Sequence, residues 1–240
     1  MWLKITTNYS PNFSLPKRSK KKIEFIIIHY TGMKNESSAI KKLCSQETSV
    51  SAHYFIKNNG EIINLVPDMY EAWHAGKSGW KKKKSLNRYS IGVEIQNQGH
   101  AHGYKNFSLK QLKSLKRLLK VLMEKYKINI NNVLGHSDIA PERKKDPGEK
   151  FPWKKLSEYN LGSWYKNFRN DFKQAKTAKI RNLFFKNLFK IGYRYFSVNV
   201  PKKSDRFIIS AFQRRYTPGK VTGKLNQKTL LISDFLAKPQ

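Results

Sequence analysis

The 240-residue sequence predicts an α/β fold, a mixed central β-sheet flanked by helices, followed by a small all-α three-helix domain. Three observations carry that prediction. Ile23-Glu24-Phe25-Ile26-Ile27-Ile28 and Ser90-Ile91-Gly92-Val93-Glu94-Ile95 are short, nearly continuous apolar runs rich in β-branched residues, the pattern of strands covered on both faces. Between residues 109 and 126 leucines recur every three or four positions, the pattern of a helix with one buried stripe. From Leu161 to Gln240 the composition shifts to 18 Lys+Arg against three Asp and no Glu, with three short apolar-periodic segments. The expected organisation is a lead-in at 1–22, the α/β unit at 23–162, a linker at 163–179 and a helical unit at 180–240.

In chain order, residues 1–22 read as irregular, with Pro11, Pro16 and the basic run Lys17 to Lys22. The first apolar run follows and ends on His29. A helix is expected around Ser37 to Cys44. Val50 to Lys57 and Glu61 to Pro67 flank Asn58-Asn59-Gly60, a hairpin signal because Asn and Gly tolerate the positive φ of a tight turn. The second buried run places Glu94 in mid-strand, and burying that carboxylate requires a partner or a task. Ser108 and Gln111 stand at capping-box spacing ahead of the leucine stripe. In the last third, helices are expected around Leu183 to Ile191, Phe207 to Phe212 and Leu225 to Phe235.

Charge and cysteine content narrow the chemistry. With 48 Lys+Arg against 16 Asp+Glu the formal net charge is +32, which biases the protein toward anionic partners. Nucleic acid, an acidic membrane surface and a wall polymer bearing carboxylates all satisfy that bias, as does a surface drifted toward lysine. Cys44 is the single cysteine, so an internal disulfide and a thiolate metal cluster are both excluded. The N-terminus has no apolar core of signal-peptide length and no segment approaches the ~20 apolar residues of a membrane span. The chain as written is expected to be soluble and not classically exported.

The most informative stretch is Gly135-His136-Ser137-Asp138-Ile139-Ala140-Pro141 through Lys144, Asp146-Pro147-Gly148 and Phe151-Pro152-Trp153. His136 and Asp146 are ten positions apart, too far to meet on one helix face, so they converge only if the loop folds back. Taken with His29 from the upstream strand they form a sufficient protein shell for one catalytic Zn²⁺, which keeps a fourth position open. Zinc lowers the pKa of a bound water toward ~7. Glu94 is the candidate general base and Lys144 a candidate stabiliser of the oxyanion. His53 and His74 sit beside aromatics, where a histidine alone is more often structural. His100 and His102 read as surface residues of a loop.

Together these motifs carry a resemblance. Ile26-Ile27-Ile28-His29-Tyr30-Thr31, Val50-Ser51-Ala52-His53-Tyr54, Ala72-Trp73-His74-Ala75-Gly76, Ser90 to Ile95 and the stretch from Gly135 to Trp153 resemble, in order over roughly residues 20–160, the zinc-dependent N-acetylmuramoyl-L-alanine amidases of the amidase 2 family. Val221 to Thr229 and Ala211-Phe212-Gln213 resemble the C-terminal peptidoglycan-binding module of AmiD-type members. The resemblance implies His29, His136 and Asp146 as zinc ligands, Glu94 as base, Lys144 on the oxyanion, and His74, His53 and Trp73 at the substrate. It implies hydrolysis of the amide between N-acetylmuramic acid and the L-alanine of the stem peptide, in wall turnover or recycling. Zinc is expected at one sheet edge, one ion per chain, in a monomer. Expected partners are peptidoglycan or muropeptide, with an anionic polymer on the basic C-terminal module and no specific nucleic acid. The family places such enzymes in the periplasm or envelope, whereas the visible N-terminus leaves the cytoplasm open. A peptidoglycan-recognition protein of the same fold that binds without cleaving is the alternative, and a nucleic-acid-binding protein is supported by charge alone.

Overall fold

The computed structural model describes residues 3–166 and 177–238. Six strands form the central sheet: β1 (Ile5–Thr7), β2 (Phe25–Tyr30), β3 (Tyr54–Ile56), β4 (Ile62–Asn64), β5 (Ser90–Ile95) and β6 (Val133–Gly135), in the spatial order β1-β4-β3-β5-β2-β6. Every neighbouring pair is parallel except the β3–β4 hairpin. The turn of that hairpin is the expected Asn58-Asn59-Gly60, with Gly60 at φ +87°. Residues 1–22, expected to be irregular, include β1, whose three residues pair with β4. Phe13–Ser14 with Glu71–Ala72 and Gly79–Trp80 with Lys83–Lys84 form two further short ladders.

Seven helices accompany the sheet among the described residues: α1 (Glu36–Cys44), α2 (Leu109–Tyr126), α3 (His136–Ile139), α4 (Trp153–Ser157), α5 (Thr177–Ile191), α6 (Asp205–Tyr216) and α7 (Gln227–Ala237). Asn35 caps α1 and the Ser108/Gln111 capping box starts α2, each satisfying amides the first helical turn leaves free.

Because side chains alternate along a strand, the two sheet faces have separate coverings. Ile26, Ile28, Ile91, Val93 and Ile95 point to one face and pack on Leu115, Leu118, Leu119 and Leu122 of α2, with Phe151 and Trp153. Phe55 and Ile63 point to the other face and pack on Ala39 and Leu43 of α1. Phe25 and Ile27, on that same second face, join Leu134, Ile139, Phe184, Phe185, Leu188, Ile208, Phe212, Leu230 and Ile232 in one buried cluster. The C-terminal helices therefore share a hydrophobic core with the sheet. The predicted linker at 163–179 falls for the most part outside the described residues. A cavity lies beside the α1 covering on the second face, lined by Ala39 and Leu43 together with the polar residues His29 of β2 and Glu94 of β5.

Candidate metal centre

His29 is the fifth residue of β2 and lies on the same face as Phe25 and Ile27. The parallel register of β2 and β5 places His29 opposite Glu94, so the two side chains rise side by side about 4.8 Å apart at the carboxyl ends of interior strands. On the other side of β2, β6 ends with Gly135 opposite Ile28, which brings the next residue, His136, up beside His29. These side chains thus gather at the carboxyl-terminal ends of the strands, His29 and Glu94 on interior strands of the sheet.

The loop after His136 does fold back. Ser137 N–H donates to the Asp146 carbonyl at 2.8 Å, closing the ten-residue excursion. Gly135 allows the closure, since a Cβ there would stand 2.7 Å from Pro147 Cδ. Asp138 ties the start of the loop: Oδ2 accepts from Gly135 N–H at 2.9 Å and from Arg215 Nη1 at 2.6 Å, and Oδ1 accepts from Tyr193 O–H at 2.7 Å. Both Asp138 partners beyond the loop come from the C-terminal segment.

The result is a convergence of three ligand-type atoms. His29 Nδ1 and His136 Nδ1 are 2.9 Å apart, and each is 3.1 Å from Asp146 Oδ2. His29, His136 and Asp146 are all buried. The surrounding carbonyl and hydroxyl groups assign the hydrogen-bond directions of the neutral rings. His136 Nε2 faces the Ala75 carbonyl at 3.1 Å, which can only accept, so Nε2 carries a proton and, in the neutral ring, Nδ1 presents a bare lone pair. Ser90 O–H donates to Leu86 O at 2.6 Å, so Ser90 Oγ accepts from His74 Nε2 at 3.2 Å. His74 Nδ1 is then the acceptor toward His29 Nε2 at 3.0 Å, and His29 Nδ1 too is bare. Two lone pairs and a carboxylate oxygen facing one another at such distances repel unless a cation lies among them. Zinc bonded at 2.0–2.1 Å to three tetrahedral vertices would set them about 3.3 Å apart, close to the separations observed. The residues present fit such an ion in number, type and orientation.

Titration tendencies follow from this crowding. Burial, reinforced by the neighbouring His136, lowers His29 to about 4. Burial likewise lowers His74, with His29 and His53 adding to the effect. Burial opposes ionisation of Asp146, but His136 and His29 more than offset it, leaving the carboxyl well below the usual range. Glu94 moves the other way: loss of solvent and the nearby Asp146 push it up to about 8, with Lys144 and Lys42 acting in opposition. Its Oε2 is shielded from solvent and has no hydrogen-bond partner among the described residues.

A cavity of about 520 Å³ opens onto the cluster, and His29, Glu94, His136, Lys144 and Asp146 all line it. Of the residues expected at a substrate, Trp73 lines the cavity and is held by its Nε1–H to Ser14 Oγ at 2.8 Å. His74 reaches the wall but has both ring nitrogens committed to His29 and Ser90. His53 stands behind the wall, fully buried; its Nδ1 accepts from Gly92 N–H at 2.9 Å, and its Nε2 lies 3.1 Å from Tyr70 O and 2.9 Å from an Arg18 nitrogen. His100, read as a surface residue, lines the cavity mouth and contacts Glu149 and Tyr30, whereas His102 is exposed. Lys42 on α1 also lines the cavity and was not singled out in the sequence, where nothing separates it from other helix-surface lysines.

Comparison with known proteins places these features in context. A profile of the family Amidase_2, described as N-acetylmuramoyl-L-alanine amidase, matches residues 19–149. The chain is 34% identical over 230 residues to the N-acetylmuramoyl-L-alanine amidase AmiD of Escherichia coli (strain K12), covering 90% of this chain and 82% of that protein. The structure of E. coli AmiD in complex with the substrate anhydro-N-acetylmuramic acid-L-Ala-D-gamma-Glu-L-Lys superposes with a TM-score of 0.80 at 31% identity, over 93% of this chain and 91% of that one. AmpDh3 from Pseudomonas aeruginosa likewise gives a TM-score of 0.80 at 30% identity, over 94% and 95% of the two chains.

Proposed function

Because the chain belongs to the Amidase_2 family of N-acetylmuramoyl-L-alanine amidases, we propose that His29, His136 and Asp146 hold one zinc ion and that Glu94 and Lys144 perform the proton and charge work beside it. The protein is a peptidoglycan hydrolase that cleaves the amide between N-acetylmuramic acid and the L-alanine of the stem peptide, in wall turnover or recycling. What carries the metal reading is the tautomer pattern, since both ligand histidines present bare Nδ1 lone pairs to the Asp146 carboxylate.

When bound, zinc supplies a Lewis acid that polarises the scissile carbonyl and makes water acidic enough to attack near neutral pH. The chain's own groups complete the reaction. Glu94, aligned with His29 across two strands, takes the proton that the attacking water loses and returns it to the departing alanine nitrogen. A carboxylate without a competing hydrogen bond at Oε2 is free to make that transfer. Lys144 is close enough to His29 and Glu94 to influence both titrations, and from there its ammonium stabilises the oxygen that gains charge as the carbonyl carbon becomes tetrahedral. Trp73 offers an apolar surface at the cavity wall.

Lys42, Lys144 and Lys145 line the cavity and have no carboxylate partner among the described residues, which suits a stem peptide that carries free carboxylates. In this reading residues 23–162 carry the chemistry and the basic helices of 180–240 contribute attraction to an anionic wall polymer. Among the described residues no helix is long and apolar enough to cross a membrane.

The test is Glu94→Gln in purified protein. Release of free stem peptide from sacculi or soluble muropeptide should be lost while the zinc content stays at one ion per chain. Near-normal release would remove Glu94 from the role of base, and failure of a chelator to inhibit the wild type would remove zinc.

A further inference from the structure

We infer that His74 and Asn87 are positioning residues that set the orientation and tautomer of both ligand histidines, rather than residues that contact substrate. The inference rests on the zinc reading above. It starts from an asymmetry in how the two ligands are supported. His29 Nε2–H donates to the His74 ring at 3.0 Å, whereas His136 Nε2–H donates to a main-chain carbonyl at 3.1 Å, and that carbonyl belongs to Ala75. Two adjacent residues thus receive the outer protons of both ligands.

The dipeptide is itself fixed by one side chain. Asn87 Oδ1 accepts from His74 N–H at 3.1 Å and from Ala75 N–H at 2.7 Å. The His74 ring is held from below, since a Cβ on Gly92 would lie 2.4 Å from His74 Cγ, so the ring rests directly on the β5 backbone. It is held at its far end by Ser90 Oγ, whose own proton is committed to Leu86 O at 2.6 Å. With Ser90 accepting, His74 has one available tautomer, and that tautomer leaves Nδ1 as an acceptor for His29. The chain from Leu86 through Ser90 and His74 to His29 therefore transmits a hydrogen-bond direction to the inner lone pair. Outer partners of this kind orient metal-bound histidines, and their loss typically weakens metal binding by 10- to 100-fold.

The experiment is zinc affinity of the full chain, measured by competition with a chromogenic chelator, so that no turnover is needed. His74→Phe keeps an aromatic ring but offers no acceptor, and it should bind zinc at least 10-fold more weakly than wild type. His74→Asn should recover most of that loss, because an Asn Oδ1 stands where the ring Nδ1 stood; a purely structural role for the ring predicts no such recovery. Asn87→Ala should weaken zinc and Asn87→Asp, which keeps an acceptor, should not. Ser90→Ala is the mild variant should the Phe variant not fold; it should shift the His29 ring from its Nε2–H tautomer, read by nitrogen-15 correlation of the imidazoles. Wild-type affinity in both His74→Phe and Asn87→Ala would overturn the inference and leave the zinc reading intact. A wild type that binds no stoichiometric zinc would overturn the ligand assignment and this inference together.

Discussion

Glu94 gives a prediction that is independent of turnover. In the zinc-free protein its carboxyl is pushed up to about 8 by burial and by Asp146, from an ordinary value of 4.5. A carboxyl whose folded pKa is raised binds its proton more tightly in the folded state, so the folded state loses stability as pH rises from the unfolded value toward the folded one. Between pH 5 and 7.5 that loss integrates to about 3 kcal/mol, at 1.36 kcal/mol per unit, and the partial exposure of the side chain makes this an upper figure. Glutamine cannot ionise and removes the dependence. Urea denaturation of chelator-stripped wild type and Glu94→Gln across that range should show the variant gaining about 2–3 kcal/mol on the wild type as pH rises. Taking the difference between the two proteins cancels the histidines, which titrate in both. A difference that stays flat from pH 5 to 7.5 would refute the claim that this carboxyl is desolvated.

Three further outcomes follow from the same structure. His29 and His53, lowered to about 4 and about 3 by burial, are buried neutral, so stability present above pH 6.5 should drain away as pH falls from 6.5 toward 4; a zinc-free protein equally stable at pH 4.5 and 7 by denaturant midpoint would contradict it. Arg215→Met leaves the Asp138 carboxylate buried without its cation and should cost about 3–5 kcal/mol in denaturation experiments, against less than 1 for an exposed arginine such as Arg88. Gly92→Ala forces the His74 ring off the sheet and should cost about 1–3 kcal/mol, with a parallel loss of zinc affinity that an alanine elsewhere in a strand would not produce.

Much of the sheet was legible because its signals are local. Ile26-Ile27-Ile28 and Ile91 to Ile95 are apolar without a helical period, and both runs form interior strands. Asn58-Asn59-Gly60 and the Ser108/Gln111 pair are short-range turn and cap chemistry, and both occur as read. The two-residue ladders and the three residues of β1 were not legible, since a strand that short has no period to detect; they exist because neighbouring backbone is already in place. At the site, His29, His136 and Asp146 could be grouped by chemistry, as donors with no competing cysteine. Their supports could not. Ala75 contributes a carbonyl that any residue would have, Asn87 and Ser90 are ordinary polar residues, and Arg215 lies 77 positions from the aspartate it pairs with.

That last pair bears on what the C-terminal helices do. A buried ion pair gives little net stability, because desolvating both charges offsets their attraction, so its consequence is geometric. Arg215, 2% exposed, lies over the Trp153 ring at 4.0 Å and reaches Asp138, Val133 O and Ser163 Oγ. Asp138 in turn receives the Gly135 N–H, one residue before His136. Tyr193 holds the other carboxylate oxygen. A helical segment that only tethered the enzyme to a polymer would need none of these contacts with the loop. Here the segment also closes the sheet face beneath Phe25 and Ile27, four and two residues ahead of His29 on the same face. The C-terminal helices therefore brace both strands that lead to His29 and His136. In this chain the same C-terminal segment that carries the basic helices also holds the start of the loop after His136, through Arg215 and Tyr193 on Asp138.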